Sequence, residues 1–267
     1  MNRKELIEQI HAKKSFLCVG LDSDLQKIPR HLFVEKDPVF AFNKAIINAT
    51  KDYAVAYKIN TAFYESQGLR GLMSMAKTLD CIPKDCFTIA DAKRADIGNT
   101  SEQYARAFFD TLPFDSITVA PYMGSDSIKP FLQDDKRWAI VLGLTSNKGS
   151  QDFQMQKLED GSYLYEKVLK TAASWGHPGN MMFVIGATRE EQLKHIRDIL
   201  PEHFFLIPGV GAQGGSISTV AQATLNKDKG ILVNASRSII FAGGDTDFDK
   251  EAGTIARKYQ EEMAAFF

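Results

Sequence analysis

The chain has few cysteines, almost no net charge and no long apolar run, and each shortage closes off a class of protein. Its cysteines are Cys18, Cys81 and Cys86, and their spacing fits neither a zinc site nor a redox pair. They read as reduced thiols of a cytoplasmic protein. A net charge of −1 over 267 residues leaves no broad basic field for nucleic acid or an anionic membrane. No apolar stretch approaches the ~18 residues of a membrane span. Met1-Asn-Arg-Lys-Glu5 lacks the apolar core of a signal peptide. Repeats, low-complexity tracts and linkers are missing too, so residues 1–267 read as one domain. The histidines, His11, His31, His177, His195 and His203, are scattered, and none falls at a strand's C-terminal end with a carboxylate partner. They read as surface or packing residues.

What is present is a regular alternation. With 44% apolar and 24% charged residues, the chain supports a sizeable core in an ordinary soluble background. Short apolar runs at Phe16–Leu21, Val55–Ile59, Phe87–Ala92, Ser116–Ala120, Ala139–Leu144, Met181–Ile185, Phe204–Ile207 and Ile231–Asn234 read as strands. Helical spacing between them covers Phe40–Ala49, Phe63–Leu79, Tyr104–Phe109, Leu164–Ser174 and Glu190–Ile199. Continuously apolar strands imply a parallel sheet buried on both faces. Eight such units in this length favour an α/β fold closed as a (β/α)8 TIM barrel. Residues 1–13 carry Leu6, Ile7 and Ile10 on one helical face and are expected to cap the closed end of the barrel.

The most informative stretch is Phe87-Thr-Ile-Ala-Asp-Ala-Lys-Arg-Ala-Asp-Ile97. It begins as a core strand and ends in charge. Alternation along a strand sends Asp91 and Lys93 to the same face. A buried acid–ammonium pair adds little stability, so it is better explained by chemistry than by folding. Other strand ends agree: Val19-Gly-Leu-Asp22, Tyr57-Lys-Ile-Asn60 and Leu144-Thr-Ser-Asn147. In a barrel all of these meet at one rim. Strand seven runs into Pro208-Gly-Val-Gly-Ala-Gln-Gly-Gly215, whose backbone N–H groups suit an anion and whose glycines suit a lid. Strand eight runs into Asn234-Ala-Ser-Arg237, where a guanidinium can grip phosphate oxygens. Loops after these two strands are the usual phosphate site of such barrels. Thr100-Ser-Glu-Gln103 has the form of a capping box opening the next helix.

The set Asp91-Ala-Lys-Arg-Ala-Asp96-Ile97, Asp22, Lys58, Pro208-Gly-Val-Gly-Ala-Gln-Gly and Arg237 resembles the orotidine 5′-phosphate decarboxylase family, in particular its longer bacterial branch. The Asp-x-Lys-x-x-Asp-Ile core is shared with a wider suprafamily, and the glycine-rich loop sharpens the match. The resemblance implies cofactor-free and metal-free conversion of orotidine 5′-phosphate to UMP, the last step of de novo pyrimidine nucleotide synthesis. Lys58, Asp91, Lys93 and Asp96 would form the charged array. Lys93 would protonate C6, Asp91 would face the departing carboxylate, and Asp22 and Lys58 would touch the ribose. A homodimer is implied, with Asp96 and Thr100 reaching into the partner's site. Ser146 would contact the pyrimidine. Gly209, Gly211, Gln213, Gly214, Ser236 and Arg237 would surround the phosphate, and Ile97 would line the substrate site. Ser236 stands where shorter relatives usually have glycine. Two rivals remain open at this point: a magnesium-dependent sugar-phosphate decarboxylase or aldolase with the same core motif, and a barrel that binds phosphate ligands without turnover.

Overall fold

A computed structural model of the chain describes residues 1–186, 189–209 and 216–267. Its strands are β1 (Leu17–Gly20), β2 (Ala56–Asn60), β3 (Phe87–Arg94), β4 (Ser116–Val119), β5 (Trp138–Leu144), β6 (Met181–Ile185), β7 (Phe204–Pro208) and β8 (Ile231–Ala235). Each pairs in parallel with the next, and β1 pairs with β8, so the sheet closes into a barrel. This is the (β/α)8 TIM barrel expected from the alternation. None of the helices among the described residues is long and apolar enough to cross a membrane.

The period of two sorts the strand residues between two cores. Leu17, Val19, Tyr57, Ile59, Ala90, Ile117 and Val119 pack in the layer between sheet and helices. Cys18, Ala56, Phe87, Ile89, Trp138, Ile140, Met182, Phe204 and Leu232 fill the barrel itself. Leu6 and Ile10 of the first helix, Arg3–Lys13, join that inner cluster, which places the helix against the closed end. Asn2 caps this helix: its side chain accepts from the Glu5 backbone N–H, while the Glu5 carboxylate accepts from the Asn2 N–H at 2.7 Å.

Two local expectations are corrected. The periodic stretch Phe63–Leu79 is not one helix but two, Ala62–Glu65 and Gly68–Cys81. Gly68 sits at φ +63°, a conformation glycine adopts without a Cβ penalty, and it turns the chain between them. Thr100-Ser-Glu-Gln103 does not open a helix. The helix after β3 already begins at Gly98 and runs to Arg106, with Ile97 as an N-cap that makes no side-chain cap bond. Thr100 therefore lies inside its first turn, where a capping hydroxyl has no role.

Candidate active site

Moving up β3, the inward-facing positions change from Phe87 and Ile89 to Asp91 and Lys93. The same shift occurs on β2, from Ala56 to Lys58 and Asn60, and on β8, from Leu232 to Asn234. The barrel interior is therefore apolar below and charged at its C-terminal end. There it opens into a cavity of about 370 Å³ lined by Asp22, Lys58, Asn60, Asp91, Lys93, Ser146, Gly209, Ser236 and Arg237. Leu142, Val184 and Leu206 supply its apolar wall.

The charged groups form a chain. Lys58 Nζ lies 3.3 Å from Asp22 Oδ1 and 2.9 Å from Asp91 Oδ2. Lys93 Nζ lies 2.6 Å from the other oxygen, Asp91 Oδ1. Burial works against charge on Lys58, but Asp91 and Asp22 outweigh it and hold its pKa above the usual lysine value. Burial likewise opposes charge on Asp91, yet Lys58 and Lys93 keep its carboxyl well below the usual range. Both stay ionised at neutral pH. Lys93 is the exposed member, with half its side chain (51%) open at the cavity.

Across the cavity, Arg237 begins a short helix, Arg237–Ile240, and forms no ion pair among the described residues. A guanidinium left unpaired beside a cavity is available to an anionic ligand. Ser236 precedes it, and its hydroxyl accepts from Asn234 Nδ2 at 3.2 Å. Gly20 makes room for that hydroxyl, since a Cβ there would stand 1.9 Å from Ser236 Oγ. The serine just past β8 thus depends on a glycine on the neighbouring β1.

Not every expected site residue joins the cavity. Asp96 and Ile97 precede the helix that contains Thr100, and none of the three lines the cavity of its own chain. The Asp96 carboxylate accepts from the Ile97 backbone N–H at 2.8 Å. It forms no ion pair among the described residues, so within one chain Lys93 touches one carboxylate, not two. Gly211, Gln213 and Gly214 lie outside the described residues.

Residues that sequence reasoning passed over also matter. Thr118 on β4 donates its hydroxyl to Asp91 Oδ1 at 2.9 Å and accepts the Lys93 backbone N–H at 2.9 Å. Gln154, from the stretch between β5 and β6, accepts the Thr145 backbone N–H at 2.8 Å and so ties down the loop that bears Ser146. The available signal was a polar residue at an inward position near a strand's C-terminal end, which Thr118 satisfies. Among the described residues no group of three or more His, Cys, Asp or Glu side chains is arranged to hold a metal ion.

A closed parallel barrel whose strand ends carry an acid–lysine chain, with an arginine that forms no ion pair among the described residues across the cavity, defines a class: barrel enzymes acting on phosphorylated ligands. Comparison with known proteins narrows it. Residues 15–247 match the family model described as orotidine 5′-phosphate decarboxylase / HUMPS family. The chain is 55% identical over 269 residues to an orotidine 5′-phosphate decarboxylase of Parabacteroides distasonis, covering 100% of this chain and 96% of that one. It is 54% identical over 267 residues to one from Flavobacterium johnsoniae, covering 99% and 97%. Among solved structures, Leishmania donovani OMP decarboxylase is similar, with TM-score 0.81 and 35% identity over 98% of this chain and 99% of that chain. Leishmania donovani UMP synthase is similar with TM-score 0.85 and 38% identity, over 98% of this chain but 55% of that longer one. The chain belongs to the orotidine 5′-phosphate decarboxylase / HUMPS family.

Proposed function

We propose that the protein decarboxylates orotidine 5′-phosphate to UMP, with Lys93 as the group that protonates C6. The observation that carries this is the Lys58–Asp91–Lys93 chain at the cavity, with its half-exposed ammonium opposite Arg237, which forms no ion pair among the described residues. In the step proposed, the bond between C6 and the carboxylate carbon breaks and its electron pair stays on C6. Carbon dioxide leaves, the Lys93 ammonium gives C6 a proton, and the resulting amine recovers one from water. The pair on C6 has no conjugated sink, so a cation already in place must stabilise it. Asp91 holds that cation, and because it stays ionised it also presents negative charge where the substrate carboxylate must sit.

Arg237, Ser236 and Gly209, which line the cavity, are assigned to the phosphate, with Gly211, Gln213 and Gly214 assigned to it from the sequence alone. Gripping a group remote from C6 supplies binding energy for orienting the ring. Asp22 and Lys58 are assigned to the ribose and Ser146 to the pyrimidine. Asp96 and Thr100 are assigned to the partner's cavity in a homodimer, and neither lines the cavity of its own chain. A cytoplasmic location belongs to the same proposal.

The test is ultraviolet absorbance of orotidine 5′-phosphate mixed with purified protein, with and without EDTA. Conversion to UMP that is indifferent to the chelator and lost in Lys93→Ala supports the proposal. Turnover of sugar phosphates alone, dependent on magnesium, would overturn it in favour of a magnesium-dependent sugar-phosphate decarboxylase or aldolase with the same core motif.

A further inference from the structure

The backbone of Lys93 is out of the ordinary for a lysine in a strand. Its φ is +47°, in the left-handed region that a side chain with a Cβ rarely adopts. The cause lies in the pairing of β3 with β4. Ala90 pairs with Ile117 and Arg94 with Val119, so Asp91, Ala92 and Lys93 together stand opposite the single residue Thr118. The ladder is broken there, and the N–H of Lys93 has no carbonyl to meet. The Thr118 hydroxyl takes its place, accepting that N–H at 2.9 Å.

The same hydroxyl points its own hydrogen at Asp91 Oδ1, 2.9 Å away. Asp91 Oδ1 also accepts from Lys93 Nζ at 2.6 Å, which closes a ring of hydrogen bonds: Lys93 N–H to Thr118, Thr118 to Asp91, Lys93 Nζ to Asp91. Thr118 is fully buried, so no solvent competes for its hydroxyl. As a β-branched residue on a strand it has few χ1 options, and the hydroxyl direction is restricted with them. Asp91 Oδ2 is held separately by Lys58 Nζ at 2.9 Å, so the carboxylate plane is fixed from both sides.

We propose that Thr118 is a positioning residue for the reaction: it locks the left-handed backbone of Lys93 and the Asp91 carboxylate as one unit, and so aims the lysine ammonium into the cavity. It touches no substrate in this scheme and acts through Lys93 and Asp91. The proposal rests on the decarboxylase reading for its kinetics, and on geometry alone for its structural half.

The experiment compares Thr118→Val, which keeps shape and removes the hydroxyl, with Thr118→Ser, which keeps the hydroxyl. A lost hydrogen bond to a charged group corresponds to about a 10- to 100-fold drop in kcat for Thr118→Val. KM for orotidine 5′-phosphate and affinity for UMP are expected to move less than about twofold, since the phosphate grip is elsewhere. Thr118→Ser should recover most of kcat. Independently of turnover, the crystal structure of Thr118→Val should show Lys93 relaxed out of positive φ or its Nζ withdrawn from Asp91. Unchanged kcat in Thr118→Val overturns the proposal, as does a parallel loss of kcat, KM and melting temperature that serine does not rescue. If wild-type protein converts no orotidine 5′-phosphate, the decarboxylase reading alone has failed. An unmoved Lys93 in the variant crystal structure then refutes the positioning role by itself.

Discussion

Lys58 and Arg197 are both cations withdrawn from water, 5% and 9% exposed, at opposite ends of one barrel. They are stabilised in different ways. Arg197, in the helix Glu190–Ile199, spends its donors on neutral backbone: the carbonyls of Thr224, Leu200, Pro201, His203 and Gly230, around the N-terminal ends of β7 and β8. Its guanidinium lies over the Phe205 ring at 3.7 Å. Burial lowers its pKa to about 9, which still leaves it charged at neutral pH. Lys58 instead faces two carboxylates, and one of these holds a second, half-exposed lysine. Neutral carbonyls suffice when a buried cation only has to tie loops together. Alternating full charges, open to a cavity at one end, are an arrangement stability does not require. The buried cation of the closed end is satisfied where it sits, and the open end is built with something left over.

The sharpest way to break that contrast is to remove one member at each end. Lys93→Ala is expected to lower kcat by at least about 10³-fold, since it deletes both a proton donor and the cation nearest the cavity. Its melting temperature should stay within a few degrees of wild type, because the side chain is half exposed and Asp91 keeps Lys58 and Thr118. Arg197→Leu should do the reverse. It strands buried carbonyls and is expected to destabilise the fold by about 3 kcal/mol or more, while kcat per folded molecule holds. Thermal melts and steady-state kinetics on the two variants decide this. An Arg197 variant that melts normally but turns over slowly would erase the distinction between the two ends.

The two ends were not equally legible in the sequence. Strands could be read because a parallel barrel buries both faces, leaving uninterrupted apolar runs such as Met181–Ile185. Asp22, Lys58, Asp91 and Lys93 stood out because charge at the end of such a run needs a reason. Arg237 was legible from its place after β8. Thr118 offered only a polar side chain at an inward strand position, because a threonine is at home in any strand and its role arises from a register shift between β3 and β4 that no periodicity encodes. The break at Gly68 was hidden for a similar reason: apolar spacing continued across it, and the turn depends on one residue's φ. Arg197 was invisible as well. Its partners are backbone carbonyls, which carry no sequence signature.

A subtler test of the closed end uses pH. His203 is 8% exposed, packs edge-on against Phe183 with ring centroids 5.4 Å apart, and has no hydrogen-bond partner for either ring nitrogen among the described residues. Burial lowers its pKa to about 4, with the positive charges of Arg3 and Arg197 pushing the same way and Glu202 weakly opposing. The folded protein therefore binds this proton less readily than the unfolded chain. Stability is full above the unfolded value near ~6.5 and falls as pH drops toward 4, by up to about 3 kcal/mol. Denaturant midpoints measured between these limits should slope in wild type and flatten in His203→Phe. Equal slopes would mean that other groups set the acid limit.

The smallest effect is expected at Cys18, where the two ends of the barrel nearly meet. It lies in the inner core directly below the charged rim, with its sulfur 3.6 Å from Asn234 Oδ1. Burial raises its pKa to about 12; Lys58 pulls the other way, but Asp22 and Asp91 offset that pull. The ammonium above it is already engaged by carboxylates and has no surplus field with which to activate a thiol. Cys18 should therefore resist iodoacetamide at pH 8 in the folded protein, together with the buried Cys86, while the partly exposed Cys81 reacts. Cys18→Ala should change kcat less than about twofold, the level expected of a residue outside the hydrogen-bonded array. Rapid labelling of Cys18 in folded protein, blocked by UMP, would show that the rim's charges reach downward after all, and the clean division between an apolar floor and a charged rim would have to be abandoned.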